Sequence, residues 1–266
     1  MNLASLDGVI GPSHEALIPV TDDALVRGDG VFEVSRLYAG VPFAHDEHVV
    51  RLRLSADNLR LPVDYEALAS ETEALLRAAG PVDGQLRVIL TRGGRRIVTV
   101  EPLPAQPQTA RVASVTYQPT ILLDGVKSLS YAVNMLAGRL AKERGFDEAL
   151  LVTPEGKVLE GATWTFFWVQ DGRLLTPPLE SHILDSITRR LIIHNSGAIE
   201  RSCTLAELTG AEEAFIASSA REVQPISVID DIRLPAAPGP VTRAAHVALT
   251  ERIEREVRES AVSPAS

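Results

Sequence analysis

The stretch that decides the organisation of this chain is Ile121–Met135, ILLDGVKSLSYAVNM. Around its start, over residues 118–124, the regular spacing of apolar residues lapses, and a helical pattern begins further along the stretch, at Ser130. The lapse predicts a linker. A length of 266 residues allows one large domain or two ordinary ones. We therefore predict an N-terminal domain over 1–117, a linker over 118–124 and a C-terminal domain over 125–266.

Strand and helix patterns are mixed in both halves but do not alternate regularly. The first half opens with a predicted hairpin over Leu3–Ile10, which turns at an Asp-Gly pair, and continues with a strand over Val31–Tyr38. Two helices follow, one capped by Asp46 and one over Tyr65–Ala79. In the second half, Asp185 is the predicted N-cap of a short helix. This order favours two α+β domains over a doubly wound sheet.

Charge and composition exclude several classes of protein. The chain has 26 basic and 35 acidic residues, and a net charge of −9 argues against a broad nucleic-acid surface. No apolar run reaches the ~18–20 residues that a membrane helix needs. The first residues lack the basic and apolar regions of a secretory signal. One cysteine, Cys203, can form no internal disulfide. We therefore expect a globular cytoplasmic protein.

Several common catalytic motifs are missing from the sequence. Gly28-Asp29-Gly30 lacks the third glycine of a dinucleotide fingerprint, and a strand pattern follows it instead of a helix. Gly156-Lys157 lacks the upstream glycine of a P-loop. The six histidines are scattered, and no HExxH or CxxC spacing occurs. We therefore expect no metal site.

The three lysines are candidates for a nucleophilic amine. Such an amine must lie in a partly desolvated pocket, so that it loses its charge easily. Lys142 lies at a charged helix end and Lys157 lies in a turn, whereas Lys127 has uncharged flanks at the predicted domain junction. Lys127 is therefore the best candidate of the three, although a structural lysine has the same local pattern.

Six segments stand out along the chain. In order they are RGDGVFE (Arg27–Glu33), DEHVVRLRLSA (Asp46–Ala56), KSLSYAVNM (Lys127–Met135), DEALLVTPEGKVLEG (Asp147–Gly161), LLTPPLESHILDSITR (Leu174–Arg189) and SSAREVQPI (Ser218–Ile226). Together they resemble the class IV aminotransferases, which are fold-type IV enzymes that use pyridoxal 5'-phosphate (PLP). The resemblance covers nearly the whole chain. It implies a smaller N-terminal α/β sandwich domain and a larger C-terminal domain with a pseudo-barrel sheet.

The resemblance implies a role for particular residues. Lys127 matches the lysine that carries the cofactor as an aldimine. Arg51 matches the arginine that binds the cofactor phosphate, and the role of an exposed helix arginine fits Arg53 better. His48 accompanies Arg51, either in direct contact with the cofactor or packed behind it. Glu160 matches the carboxylate that keeps the pyridine nitrogen protonated.

Further matches concern the phosphate and the ring of the cofactor. Ile187 and Thr188 begin a helix, whose first N–H groups and positive dipole end suit an anion. Ser218 and Ser219 stand where the family has a Gly-Thr pair that donates to the phosphate; an ordinary turn at a strand end is the alternative. Leu184 matches a leucine that packs on the cofactor ring, and simple core packing is the competing interpretation.

Three positions are ambiguous or depart from the family pattern. Tyr131 is equally suited to donate to the phenolic oxygen of the cofactor or to fill the core. Ser186 stands where the family usually has glycine. Thr163-Trp164-Thr165 replaces the usual Ser-Asn, which leaves any contact made by that asparagine in doubt.

The substrate is less visible in the sequence. The run Leu90–Gly94 resembles the D-amino-acid aminotransferase and lyase branches of the family. The Tyr-x-Arg pattern of the branched-chain enzymes and the Arg-x-His pair of D-amino-acid enzymes are both missing. The predicted substrate-binding residues are Arg27, Val31, Arg92, Arg95 and Arg96.

The resemblance implies a transaminase that moves an amino group between an amino acid, including a D-amino acid, or a primary amine and a 2-oxo acid. R-selective amine transamination stays open. The alternative enzyme is an aminodeoxychorismate lyase, which would use the same Lys127 aldimine to release 4-aminobenzoate and pyruvate. A PLP-binding relative without turnover is the non-enzymatic alternative. A homodimer with small-molecule substrates is also implied, with neither nucleic acid nor membrane as a partner.

Overall fold

The computed structural model describes residues 2–262, and these residues divide into two units. The first unit takes the chain up to Pro104, Gly125–Tyr131 and the chain from Ile253 onwards. The second takes Ala105–Asp124 and Ala132–Arg252. Each unit draws on separate stretches of chain, whereas the predicted domains are continuous. The domain boundaries at 117 and 124 therefore stay a prediction.

The first unit is built on an antiparallel sheet of six strands, in the order β2-β1-β6-β5-β3-β4. Helices α2 and α3 pack on this sheet, against β3 and against β6 and β1 respectively. The strands are β1 (Leu3–Leu6), β2 (Val9–Pro12), β3 (Gly30–Tyr38), β4 (Val41–Pro42), β5 (Gly84–Thr91) and β6 (Arg96–Glu101), and the helices are α1 (Asp23–Arg27), α2 (His45–Asn58) and α3 (Tyr65–Ala79).

Local sequence explains the first hairpin and the third helix. Asp7 and Gly8 both have positive φ angles, 51° and 89°, so the predicted two-residue turn between β1 and β2 is confirmed. The Asp64 side chain accepts the Ala67 N–H at 2.9 Å and caps α3. Gly80, with φ of 69°, ends that helix as predicted.

The second unit is built on a mixed sheet of nine strands, in the order β12-β11-β10-β13-β14-β7-β8-β9, with β15 beside β14. Helix α4 packs on β7 and β8, and α5 packs on β13. The residues of α6 up to Arg252 belong to this unit. The strands are β7 (Ala110–Thr116), β8 (Glu148–Val152), β9 (Val158–Gly161), β10 (Thr165–Gln170), β11 (Arg173–Thr176), β12 (Ile199–Glu200), β13 (Glu213–Ser218), β14 (Glu222–Ile229) and β15 (Ile232–Arg233), and the helices are α4 (Ala132–Glu143), α5 (Ile187–Ser196) and α6 (Pro240–Val262).

The core of the second unit lies on both faces of its sheet. In β10, Phe166 and Trp168 join one apolar cluster, while Phe167 stacks on Phe215 at a ring distance of 4.9 Å. Cys203 belongs to the first of these clusters, and burial raises the pKa of its thiol to about 12. Within the described residues, we find no helix with both the length and the apolar character to span a membrane.

Two predicted helix caps are wrong. The N-cap of α2 is Ala44, whose φ of 52° turns the chain into the helix, and Asp46 lies inside the first turn. The N-cap of α5 is Ser186, whose Oγ accepts the Arg189 N–H at 3.3 Å. Asp185 therefore precedes the cap. In both cases the sequence favoured an aspartate. The backbone geometry places the cap two residues before Asp46 and one residue after Asp185.

Candidate active site

Lys127 lies on a short extended segment that pairs with the start of β3. Its C=O accepts the Phe32 N–H at 3.0 Å, and the Leu129 N–H donates to the Gly30 C=O at 2.8 Å. On the other side, the Lys127 N–H donates to Ser55 Oγ in α2 at 3.1 Å. Both backbone polar groups of Lys127 are therefore bonded, so its side chain extends from a fixed position.

The amine of Lys127 lies beside two aromatic rings. Nζ is 4.5 Å from the centre of the Phe32 ring and 5.8 Å from that of Tyr131. The two rings meet edge to face, with centres 5.1 Å apart. The rings exclude water from the side of the amine that faces them, which disfavours its charged form, while the attraction of an aromatic face for a cation acts in the opposite sense. The exclusion of water provides the partly desolvated setting that a reactive amine requires.

A charged cluster lies between β3 and α2, in the same unit as Lys127. Glu33 Oε1 accepts Arg51 Nε at 2.7 Å, and Glu33 Oε2 accepts Arg51 Nη2 at 2.7 Å. His48 Nδ1 lies 2.8 Å from Glu33 Oε2. All three residues are buried. His48 and Arg51 share one face of α2 because they are three residues apart.

Electrostatics fix the protonation states in this cluster. Burial acts to raise the pKa of Glu33, but hydrogen bonds and charge from Arg51 and His48 outweigh it and lower that pKa to about 2. Burial lowers the pKa of His48, against the opposing effect of Glu33. At neutral pH we therefore expect a carboxylate, a guanidinium and a neutral imidazole that donates from Nδ1.

Arg51 and Arg53 differ as the sequence analysis expected. Arg51 is buried and faces the cluster, whereas the Arg53 guanidinium lies over the Tyr65 ring at 4.4 Å and the residue is exposed. Glu33, which takes two N–H donors of Arg51, was missed in the sequence. One feature of the sequence could have indicated Glu33. It is an acidic residue at the end of the RGDGVFE segment, two residues after Val31, in a strand whose inner face is buried.

In the second unit, Glu160 and Leu184 come together. Glu160 is the residue before the last in β9, and its Oε1 accepts the Leu184 N–H at 3.0 Å. Burial raises the pKa of the Tyr117 phenol, and the charges of Glu160 and Asp124 raise it further. The Glu160 carboxylate is thus oriented by the loop that leads into α5.

The N-terminus of α5 is an anchored helix end. Ile187 and Thr188 are buried in its first turn, where backbone N–H groups lack partners within the helix. Arg189 is 2% exposed, donates to the Pro177 C=O at 2.8 Å and pairs with Glu200. The helix start is therefore held in place, and it has the character of an anion site.

Ser218 ends β13, and Ser219 begins the turn that joins β13 to β14. Ser218 Oγ accepts the Arg221 N–H at 3.2 Å, which closes the turn. The hydroxyl of Ser218 is still able to donate, since it uses a lone pair in this bond. The turn therefore places two hydroxyl groups at the end of β13.

The predicted substrate arginines already pair with carboxylates. Arg92 binds both oxygens of Asp29, at 2.9 and 3.1 Å, and Arg95 binds Asp7 at 2.7 Å. Arg96 binds Glu71 at 2.8 Å.

The other two substrate candidates have different surroundings. Arg27 pairs with Asp23 on the exposed face of α1. Val31 is fully buried and packs in the apolar cluster under the sheet. All five substrate assignments stay predictions.

The structure thus groups the predicted site residues within each unit. The first unit holds Lys127, Arg51 and Tyr131, and the second holds the other cofactor candidates. The first unit offers a fixed amine, and the second offers an oriented carboxylate and a set of N–H and hydroxyl donors. Chemically, groups of these kinds fit the aldehyde, the pyridine nitrogen and the phosphate of PLP. Among the described residues, no three His, Cys, Asp or Glu side chains are grouped to hold a metal ion.

Comparison with known proteins identifies the class. Residues 30–229 match the family described as amino-transferase class IV, and the chain belongs to this family. It is an enzyme of the fold-type IV, α+β architecture, and PLP is its cofactor. A solved structure titled a hypothetical aminotransferase from Mycobacterium tuberculosis, PLP-bound form, matches with a TM-score of 0.87 at 26% identity, covering 96% of this chain and 99% of that one.

Curated relatives carry more than one activity. A putative branched-chain-amino-acid aminotransferase of Methanocaldococcus jannaschii is 34% identical, over 85% of this chain and 87% of the relative. A D-alanine aminotransferase of Bacillus licheniformis is 30% identical, over 96% and 98%. An aminodeoxychorismate lyase of Bacillus subtilis is 27% identical, over 92% of each chain. The relatives of this chain thus include two kinds of aminotransferase and a lyase.

Proposed function

We propose that this enzyme is a transaminase that moves an amino group between an amino acid or primary amine and a 2-oxo acid, with Lys127 as its catalytic residue. The observation that carries the proposal is the setting of Lys127. Its backbone is bonded on both sides, and its amine lies beside the Phe32 and Tyr131 rings. Transaminases predominate among the named relatives described above.

The proposal assigns Lys127 two roles, in binding the cofactor and in moving a proton. PLP, when bound, supplies an electron sink that stabilises negative charge at the substrate Cα. Lys127 would hold the cofactor through Nζ. Once the amino substrate has displaced it, the Lys127 amine would take the proton from the substrate Cα, and the ammonium so formed would donate that proton to the former aldehyde carbon of the cofactor. One residue thus serves as both base and acid.

The remaining residues hold charge in place. Glu160 keeps a proton at the pyridine nitrogen, because a carboxylate favours the charged form of a nearby base. For the phosphate we propose the guanidinium of Arg51 as the cation and, as donors, the backbone N–H groups of Ile187 and Thr188 and the hydroxyls of Ser218 and Ser219.

Substitution of Lys127 tests the proposal directly. Lys127→Ala removes the amine that holds the cofactor, so we expect loss of the visible cofactor absorption and at least a ~1,000-fold loss of turnover. Lys142→Ala, at the exposed end of α4, is the matched control and should retain both. Borohydride reduction of the wild-type enzyme should label Lys127. Labelling of Lys157, or normal turnover in Lys127→Ala, would contradict the proposal.

The second candidate is an aminodeoxychorismate lyase, which the likeness to the Bacillus subtilis enzyme favours. The same amine and carboxylate would serve that reaction. An assay with an amino donor and 2-oxoglutarate separates the two functions: glutamate formation supports the transaminase. Release of pyruvate from aminodeoxychorismate without any amino acceptor supports the lyase.

The donor and the assembly are further parts of the proposal. A panel of D-alanine, L-leucine and R-1-phenylethylamine distinguishes D-amino-acid, branched-chain and R-amine activity. The homodimer that the resemblance implies is tested by sedimentation of the PLP-bound enzyme. A monomer that is fully active would remove the dimer from the proposal and leave the reaction intact.

A further inference from the structure

Trp164 lies within the three residues that depart from the family pattern, and it is 3% exposed. Its indole ring covers Gly161, where an added Cβ would lie 2.0 Å from the ring. The Gly161 N–H also donates to the Trp164 C=O at 2.7 Å. Gly161 directly follows Glu160, so the indole fixes the end of β9 beside the carboxylate proposed for the pyridine nitrogen.

Glu148, in β8, connects Trp164 to a second element. Trp164 Nε1–H donates to Glu148 Oε2 at 3.3 Å, and Glu148 Oε1 pairs with the guanidinium of Arg221. The side chains of Glu148 and Arg221 are each 16% exposed. A carboxylate in such a place holds its donors more tightly than it would in water.

Arg221 closes the turn that carries the two serines. Its backbone N–H donates to Ser218 Oγ at 3.2 Å, and its Nη1 donates to Gln224 Oε1 at 2.7 Å. Gln224 in turn donates to the Pro107 C=O at 2.6 Å. Arg221 therefore fixes the end of the turn, since its backbone bonds to Ser218 while its guanidinium pairs with Glu148.

We propose that Trp164, Glu148 and Arg221 are positioning residues, which fix the Ser218–Arg221 turn relative to the end of β9. This proposal rests on the proposed function, because it takes Glu160, Ser218 and Ser219 as contacts of the cofactor. The three residues act through these contacts. A functional group held by a packed and fully bonded support binds more tightly than one whose support is loose.

The two tryptophans of the chain give a matched test. Trp168 is 0% exposed and belongs to the same apolar cluster as Trp164, but its Nε1 has no hydrogen-bond partner among the described residues. Trp164→Phe and Trp168→Phe therefore remove the same atoms from one core. Only Trp164→Phe removes a hydrogen bond to Glu148.

The measurements are the Kd for PLP and the Tm of the apoprotein. We expect both variants to lower the Tm. Trp164→Phe should raise the Kd about five- to tenfold, which is of the order of one lost hydrogen bond, while Trp168→Phe changes it less than about twofold. A role confined to core packing would lower the Tm in both variants and leave both Kd values alike, and that result would overturn the proposal.

Glu148→Gln gives a second, independent variant. It keeps the side-chain volume and removes the charge that Arg221 pairs with, so we expect the Kd for PLP to rise as in Trp164→Phe. An unchanged Kd in a folded Glu148→Gln protein would also overturn the network. Wild-type protein that binds PLP at another lysine contradicts the proposed function itself, which distinguishes the two failures.

Discussion

At the scale of single residues, the cluster of Glu33, His48 and Arg51 fixes the orientation of the Arg51 guanidinium in the first unit. Arg51 donates two of its N–H groups to Glu33, so its guanidinium plane is fixed before any phosphate is bound. A carboxylate so close also offsets part of its charge. Arg51 therefore serves as an oriented donor more than as an isolated cation.

The low pKa of Glu33 predicts a pH-dependent stability. The pKa of Glu33 in the folded protein, about 2, lies below its ordinary value of 4.5. The contribution of its carboxylate to the free energy of unfolding is therefore fully present above pH 4.5 and is lost as the pH falls toward 2. Glu33→Gln should lower the free energy of unfolding at pH 7 by about 3 kcal/mol. In urea unfolding of the apoproteins, the difference from wild type should shrink below pH 4.5.

Glu73→Gln is the control for this prediction. Glu73 pairs with Arg77 at 3.5 Å on the exposed face of α3, with both side chains more than half exposed. Its substitution should change the free energy of unfolding by less than about 1 kcal/mol. A difference between wild type and Glu33→Gln that stays constant with pH would show that the carboxylate charge is not the cause.

At the scale of elements, the cap of α5 decides how its first turn is presented. Ser186 stands where the family usually has glycine, and its Oγ accepts the Arg189 N–H. The hydroxyl thus satisfies one N–H of the first turn, and those of Ile187 and Thr188 stay available for an anion. A serine cap gives the helix start more rigidity than glycine would.

Ser186→Ala should therefore destabilise the apoprotein by about 1 kcal/mol, the usual effect of losing a serine cap. Ser196→Ala, at the other end of α5, is the matched control. Its Oγ has no hydrogen-bond partner among the described residues, so its loss should change stability by less than about 0.5 kcal/mol. Equal Tm values for the two variants would show that the Ser186 cap contributes nothing measurable.

The elements also show what the sequence could and could not predict. The Asp7-Gly8 hairpin and helix α3 were predictable, because turn residues and apolar spacing act locally. Strand β14 was not predicted, since Pro225 argues against a central strand. In the structure, β14 lies between β13 and β7, and its pairing with β7 begins only at Ile226 and contains a register shift. The sheet therefore accommodates Pro225, which has no backbone N–H to donate, because the pairing with β7 starts one residue later.

At the scale of the whole molecule, each unit brings together residues that are far apart in the chain. In the first unit, the Lys127 N–H donates to Ser55 in α2, the helix that carries Arg51. In the second unit, Glu160 accepts the Leu184 N–H. Local patterns cannot show such proximity. The resemblance of six ordered segments predicted these residues, and hydrogen bonds such as Arg51–Glu33 became visible only in three dimensions.

The buried Cys203 has a practical consequence for studying this enzyme. As the chain has one cysteine, and burial raises the pKa of its thiol to about 12, native protein should react with a thiol reagent such as DTNB only after denaturation. A single cysteine introduced on the surface would then be the sole reactive thiol. Fluorophores or spin labels could be attached there without first removing the natural sulfur, and the enzyme could be handled without a reductant.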